Sequence, residues 1–428
     1  MKSQHRWLIL ILALGLLLRL ATGLAQPLLE SYGDTGGDSG WYMLHGLALL
    51  GGPTPEGMVV EISSLQPPPA YLIFVGLPHL FLPLPQAMRA VLIVQAILGT
   101  VTCYWAYLIA DRIGGRRAAL FAAAVLAFSP AFILETAQVA TETLYLFWLG
   151  AAMVVYLSAT DRDVPKLIAL AGAGLLFGVA TLTRAVLLLF PVGLIVHLFV
   201  IYRPRRALAG VTVLAMAFVL MVSTWTIYNW VRWERFIIAG EGFGGFIYMG
   251  VVGWEGPYAL DAQLQEDASP DPEGDVYLDA AANVIGRDLP AYIQRRFGEL
   301  IGAYLQPHNT PLFPGESLRV LAQNWLSQDR SLAGLQRLIE GDAFLPKLAL
   351  YIVHFGALLF GILGMWTTRR QWRLTLPLIG FIAYVTLVHL VLYALPRYLF
   401  PAIMIWHIFA ALWLAARFPG KTRLEFNK

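Results

Sequence analysis

Asp111-Arg-Ile-Gly-Gly-Arg-Arg117 separates two apolar runs, 87–110 and 118–134. Each run is close to the length that a helix needs to cross a bilayer core of about 30 Å. The segment between them carries Arg112, Arg116 and Arg117 around the Gly114-Gly115 pair. A span, a basic glycine turn and a returning span describe a helical hairpin with its turn on the cytoplasmic side. The same alternation extends outward in both directions. Further apolar runs lie at about 7–25, 139–157, 167–183, 185–202, 207–226, 347–366, 374–394 and 398–416. Arg162 to Lys166, Arg203-Pro-Arg-Arg206, Arg369-Arg-Gln-Trp-Arg373 and the tail from Arg417 to Lys428 are the basic connections. With about ten spans, all of these and the basic Met1–Arg6 fall on one side, which predicts that both termini are cytoplasmic.

Composition leads to the same class. The 428 residues are 58% hydrophobic and only 13% charged, about half the roughly 25% charged content of soluble domains. A soluble globule is excluded, and an all-α polytopic membrane protein is expected. The formal net charge is +3 without a long basic tract, so nucleic acid is not a partner this chain is built for. Cys103 is the one cysteine; it forms no intrachain disulfide and no cysteine metal site, and it reads as a small core residue. Gly23-Leu-Ala25 faintly resembles a signal-peptidase site. Arg19 late in the apolar run is unusual for a cleaved signal, so the first helix is expected to be retained.

Two stretches depart from the simple alternation. Pro69–Leu84 is apolar but short, proline-bounded and without a basic flank. Counting it as a span would invert every later loop, so it is expected to lie in the outer interface as a juxtamembrane helix. The region 229–345 is the only sizeable soluble part. It opens with the glycine- and aromatic-rich Phe236 to Tyr258 and continues through an acidic linker, Asp267 to Asp275, broken by Pro270 and Pro272. Helical periodicity follows over Asp279–Leu305 and Leu318–Ile339, predicting a small, mainly helical extracytoplasmic domain. The expected organisation is a membrane module over 1–228 with its first outer loop at 26–86, the soluble segment 229–345, and C-terminal helices over 346–428. Gly174 and Gly178, at small-xxx-small spacing, are expected to let two helices approach closely.

The candidate chemistry sits on the outer side. Between Arg19 and Arg89 there is no Lys or Arg, yet Glu30, Asp34, Asp38, Glu56 and Glu61 all fall there. Asp34-Thr-Gly-Gly-Asp38-Ser-Gly-Trp-Tyr42 is the most polar part of that loop. The other outer helix ends supply Arg89, Glu135, Glu142, Arg184 after Thr181-Leu-Thr183, and Arg397. Guanidinium groups present a planar fork of donors suited to phosphate oxygens. A nearby carboxylate can take a proton from an acceptor hydroxyl. Such a set describes a site for a phosphate anchored in lipid and a nucleophile arriving from water. Each residue also has a plainer reading: solvated loop acids, arginines reaching to headgroups, and Glu142 as a helix-start carboxylate. The histidines show no metal-ligand spacing, and His45 is the one nearest the acidic loop. Acidic outer loops can attract a divalent ion, but no ligand spacing here argues for one. A transporter or flippase would place ionisable groups or broken helices at mid-depth and show internal repeats. A non-catalytic role in polysaccharide assembly would leave the acids and arginines without a task.

At these residues the sequence resembles a family. Asp38-Ser-Gly-Trp-Tyr42, Leu49-Leu-Gly-Gly52 and Gln66-Pro-Pro-Pro-Ala-Tyr71 are similar to the first outer loop of GT-C membrane glycosyltransferases. The nearest group is glycosyltransferase family 39 and its protein-mannosyltransferase and aminoarabinose-transferase relatives. The resemblance continues through Arg89–Pro130, Ala140-Thr-Glu-Thr-Leu144, Gly178-Val-Ala-Thr-Leu-Thr-Arg184 and Pro396-Arg-Tyr-Leu-Phe-Pro401. It implies a GT-C-like bundle and a polyprenyl-phosphate-linked sugar donor used on the outer face with inversion. It further implies Asp38 as catalytic base, Glu142 as a second acid, and Arg184 and Arg397 as holders of the donor phosphate. Arg89, Tyr42, Asp34, Tyr71 and His45 complete the expected substrate-binding set. The reading names no certain cofactor and is compatible with a divalent metal, and the acceptor is a lipid, a glycan or a protein. A bacterial inner membrane is the expected location, with the active site on the periplasmic side. Two departures stand out. Family members commonly carry Pro-Trp-x-x-Arg-Asn where this chain has Thr224-Trp-Thr-Ile-Tyr228-Asn229, and many carry Glu where this chain has Ser39.

Overall fold

The computed structural model describes residues 2–33, 38–54, 67–256 and 275–418. Among the described residues the regular elements are all helical. Seven helices among the described residues are long and apolar enough to cross a membrane, so the chain is a multi-pass membrane protein. The acidic linker, Glu56, Glu61 and the tail beyond Phe418 lie outside the described residues.

The first unit comprises Met1–Gly240, Val353–Gly380 and Ile403–Lys428. Its helices begin with α1 (Lys2–Ala25), α2 (Ser39–Leu49), α3 (Pro69–His79) and α4 (Leu84–Phe128). They continue with α5 (Pro130–Glu135), α6 (Thr141–Thr160), α7 (Leu167–Thr183), α8 (Phe190–Ile201) and α9 (Pro204–Trp233). α4 reverses at Gly115, whose φ of 75° belongs to the left-handed region that glycine tolerates. One element of 45 residues therefore carries both expected spans on either side of the basic turn. The second of them stops at Phe128 rather than near residue 134. Ser129 is extended and Pro130 has no N–H to continue the ladder. α7 and α8 are shorter than a full crossing, at 17 and 12 residues; Pro191 in the first turn of α8 restarts the helix late.

The chain end exposed by Pro130 is satisfied from α1. Arg19, 1% exposed, donates through Nη1 to the Ala127 carbonyl at 2.9 Å and through Nη2 to the Leu126 carbonyl at 3.0 Å. A guanidinium inside a span is costly unless its donors are used. Here it caps carbonyls that the proline break leaves without partners.

Gly174 and Gly178 sit where α7 meets α9, as their spacing implied. A methyl group on Gly178 would approach Met221 Cβ at 2.6 Å, and one on Gly174 would strike the Leu214 carbonyl. A second glycine contact joins α2 to α3. A methyl on Gly46 would lie 2.5 Å from the Leu72 carbonyl, and one on Gly76 would run into the Gly46 backbone. α3 has 11 residues, about 16 Å of helix, so it is too short to span. Its backbone-to-backbone seat against α2 fixes these two helices to each other within the segment between α1 and α4. Gly76→Ala is therefore expected to lower stability by about 1–3 kcal/mol, read as an earlier thermal transition in detergent.

The second unit comprises Glu241–Ile352 and Phe381–Ala402. It holds the helices Phe243–Val252, Asp275–Arg287, Leu289–Tyr304, Leu318–Gln328 and Leu332–Ile339. Lys347, 1% exposed, donates to the carbonyls of Pro314 at 2.5 Å and Glu316 at 2.9 Å. That contact ties the loop around Gly315 to the start of the helix Phe344–Thr367.

Candidate functional site

Two of the expected site residues meet where α6 starts and α7 ends. Glu142 stands in the first turn of α6 and is fully buried. A carboxylate there faces the positive end of the helix dipole, but that alone does not offset loss of water. Arg184, the residue that ends α7, supplies the counter-charge. Its Nη1 forms an ion pair with Glu142 Oε1, and the two side chains are 13% and 0% exposed. The same nitrogen contacts Thr141 Oγ1 at 3.3 Å, and that hydroxyl donates to Glu142 Oε2 at 3.2 Å. Arg184 also lies over the Tyr145 ring, 5.9 Å from its centroid. Two residues singled out separately in the sequence thus form one buried pair.

The start of α2 is stitched to this cluster. Asp38 is exposed and precedes α2, to which its side chain makes no capping bond. The next residue, Ser39, donates from Oγ to the Val139 carbonyl at 3.4 Å. Val139 belongs to the turn that leads into Glu142. Asp38 is therefore held beside the strand of chain that presents the buried acid.

Gln95 fixes that turn, and reasoning from the sequence alone missed it. It sits in α4 with no exposed surface. Its Oε1 accepts from Tyr71 Oη at 2.9 Å, and its Nε2 donates to the carbonyls of Thr136 at 3.2 Å and Gln138 at 2.6 Å. The amide links α3 to the segment just before Glu142. The only signal was an uncharged polar side chain in an otherwise apolar span. Gln95→Leu would leave all three partners without their bonds, at about 1–3 kcal/mol per buried group. The expected result is a loss of several kcal/mol in thermal stability, with Tyr71→Phe costing about one third as much.

The remaining expected site residues are placed as follows. Tyr71 is 1% exposed with its hydroxyl on Gln95, so it supports the site from within rather than facing a substrate. Tyr42 packs edge-on against it, with centroids 5.0 Å apart. His45 stacks on Trp41 at 4.0 Å and its Nδ1 meets the Trp41 carbonyl at 2.9 Å. Burial pushes the His45 pKa below its usual value, outweighing the upward pull of that carbonyl. A depressed pKa makes the neutral ring a source of stability that is complete above about pH 6.5. It is lost as pH falls through the lower, folded-state pKa. A titration of the His45 ring by NMR is expected to show that lower midpoint. Arg89 donates to the carbonyls of Gly23 at 2.6 Å and Gln26 at 3.3 Å. It closes the end of α1, and those carbonyls account for it without a substrate. Arg397 is the second residue of the helix Pro396–Arg417 and belongs to the second unit. Asp34 lies outside the described residues.

Glu135, at the end of α5, is 2% exposed and receives Gln138 Nε2 at 3.5 Å. It lines a small cavity with Arg19, Thr102, Cys103 and Thr143. Among the described residues no group of three or more His, Cys, Asp and Glu is placed to hold a metal ion.

Comparison with known proteins agrees with this architecture. Residues 67–230 match the dolichyl-phosphate-mannose-protein mannosyltransferase family, the region that contains Gln95, Glu142 and Arg184. Among solved structures, the chain is similar to the archaeal oligosaccharyltransferase AglB from Archaeoglobus fulgidus in complex with an inhibitory peptide and a dolichol-phosphate. The TM-score is 0.57 at 14% identity, covering 97% of this chain and 50% of that one. The Archaeoglobus fulgidus oligosaccharyltransferase tethered to an acceptor peptide matches with a TM-score of 0.55 at 16% identity, covering 96% and 49%. The chain thus spans about half the length of these structures. No curated protein matches it. The family match covers residues 67–230, less than half of the chain, and over the rest the likeness to the oligosaccharyltransferase structures is one of fold: an all-helical, multi-pass membrane architecture.

Proposed function

We propose that the chain is a glycosyltransferase that moves a sugar from a polyprenyl-phosphate donor to an acceptor on the extracytoplasmic face, with inversion at the anomeric carbon. The observation that carries this reading is the buried Glu142–Arg184 pair beside the loop that holds Asp38. An exposed carboxylate on that loop and a partly exposed guanidinium at the end of α7 offer the two functions that the transfer needs. Asp38 takes the proton from an acceptor hydroxyl as its oxygen attacks the anomeric carbon. The bond from that carbon to the phosphate oxygen breaks, and the electron pair leaves with the polyprenyl phosphate. A phosphate leaving group already departs as an anion, so neutralising its charge matters more than protonating it. Arg184 supplies that positive charge, and Glu142 and Thr141 hold its guanidinium in place beforehand. A guanidinium has five N–H donors in a fixed fork, which suits it to serve two anions.

The match to the mannosyltransferase family and the dolichol-phosphate in the AglB complex support a lipid-linked donor. Arg397 enters this reading as a second cation expected from the sequence, with Arg397→Ala weakening donor binding. In this reading both termini are cytoplasmic and the segment 229–345 is extracytoplasmic, the orientation that the basic connections favour. The test uses purified protein with a panel of radiolabelled polyprenyl-phosphate sugars and mixed membrane acceptors. Release of polyprenyl phosphate coupled to sugar transfer from one donor supports the proposal. Donor binding without turnover across the whole panel would replace it with a lipid-handling or transport role.

A further inference from the structure

The helix Leu289–Tyr304 buries one face and leaves a second, apolar face open. Leu289, Ile293, Phe297 and Ile301, with Leu305 just beyond the helix end, recur every fourth residue and are 41–55% exposed. Steps of four residues advance about 40° around a helix, so the five side chains sweep a stripe about 160° wide. An apolar stripe of that width normally faces a core, and a soluble surface seldom leaves one bare.

The buried face shows where this helix sits. Arg296, 2% exposed, donates to the carbonyls of His389 at 3.2 Å and Leu390 at 3.1 Å, and also to that of Leu392. Those are the carbonyls that end the candidate span Trp372–Val391. Two turns further along the helix, Tyr304 Oη meets Thr386 Oγ1 at 2.6 Å. Thr386 lies four residues inside the span from Leu390, about 6 Å deeper along its axis. The helix therefore slants across the last turns of a membrane span, with its C-terminal end at the deeper level. On that span Leu387 and Val391 are 61% and 53% exposed, the exposure expected of a lipid-facing surface. Arg295 lies on the opposite side of the helix from the stripe, where it donates to the Val251 carbonyl and pairs with Glu299, so the stripe itself carries no basic side chain.

We infer that Leu289–Tyr304 is a membrane-lying helix whose partner is the lipid bilayer, its stripe seated at the boundary between headgroups and acyl chains. The stripe continues the lipid-facing surface of the span that the helix crosses. This inference needs only the span and the clamp, and is independent of the transfer reaction. It ties the second unit to the bilayer by a surface contact as well as by its spans.

The test places a nitroxide label on single added cysteines in the full chain, reconstituted into phosphatidylethanolamine–phosphatidylglycerol vesicles. Cys103 is 1% exposed and stays in place, unlabelled. Phe297→Cys and Ile301→Cys report the stripe, Ala291→Cys the polar edge, and Ile362→Cys, on the span Phe344–Thr367, a lipid-facing reference. The expected result is that the two stripe labels follow the Ile362 label, with oxygen collisions severalfold over those of a water-soluble nickel chelate. The Ala291 label should show the reverse. Nickel access at both stripe positions equal to that at Ala291 would overturn the inference in favour of a water-facing surface. Exclusion of both agents with spin–spin broadening between copies would overturn it in favour of a dimer contact. Two label positions one turn apart keep the test intact if one variant does not fold.

Discussion

Asp38→Asn should give a normally folded membrane protein whose sugar transfer falls by about 10²–10⁴-fold, the usual effect of removing a general base. The argument has a structural half and a chemical half. Structurally, Asp38 is exposed and its carboxylate makes no capping bond to α2, so the amide is not expected to disturb the helix start. The contact that holds this end of the loop, from Ser39 to the Val139 carbonyl, remains. Chemically, an amide has the size of the carboxylate but cannot accept the acceptor's proton. Thermal unfolding should therefore match wild type while turnover collapses and donor binding stays. Wild-type turnover in Asp38→Asn would remove the base from Asp38. A fall in transfer that merely follows a fall in folded protein would make the residue structural.

Removing one partner of the Glu142–Arg184 pair is the change with the largest expected effect on stability. Glu142 has no exposed surface and Arg184 very little. Breaking a buried pair on one side costs about 3–5 kcal/mol, because the other charge is left without compensation. Arg184→Ala should be the worse of the two, since it strands the fully buried carboxylate at the start of α6. Arg184 retains some contact with solvent when Glu142 is removed. Glu142→Ala with Arg184→Ala should recover much of the lost stability, because neither charge is then stranded. Transfer should not recover with it, because the positive charge offered to the donor phosphate is gone. A double-mutant cycle of thermal transitions, run beside the transfer assay, separates these two outcomes. Additive losses of stability would show that the pair is not coupled.

The spans and turns were readable because their causes are local. Apolar runs need a bilayer's length and basic connections need the cytoplasm, so the Asp111–Arg117 turn was visible before the left-handed Gly115 was seen. The break at Ser129-Pro130 was present in the sequence too, but it was read through as continuous helix. What hid it was the remote rescue: Arg19, from a helix more than a hundred residues earlier, takes the freed carbonyls. Glu142 and Arg184 were each legible as polar groups at helix ends, whereas their pairing depends on how α6 packs against α7. Arg89 and Tyr71 have side chains of the right chemistry for a substrate, yet backbone carbonyls and Gln95 already engage them. Their burial is a tertiary property that no local pattern reports. Gln95 was missed for the converse reason, since one amide in a long apolar run looks incidental until its three partners are in place.

The most direct test of the central claim is where a lipid-linked phosphate binds. A polyprenyl phosphate carrying a photoreactive group next to the phosphate would be cross-linked to wild type and to Arg184→Lys, and the attachment points mapped by mass spectrometry. Lysine keeps the positive charge but loses the planar fork. The predicted result is attachment within 136–145 and 180–188 in wild type, weakened severalfold in Arg184→Lys and competed away by unlabelled polyprenyl phosphate. Specific, competable attachment confined to other parts of the chain, unchanged in Arg184→Lys, would contradict the assignment of this cluster as the donor site.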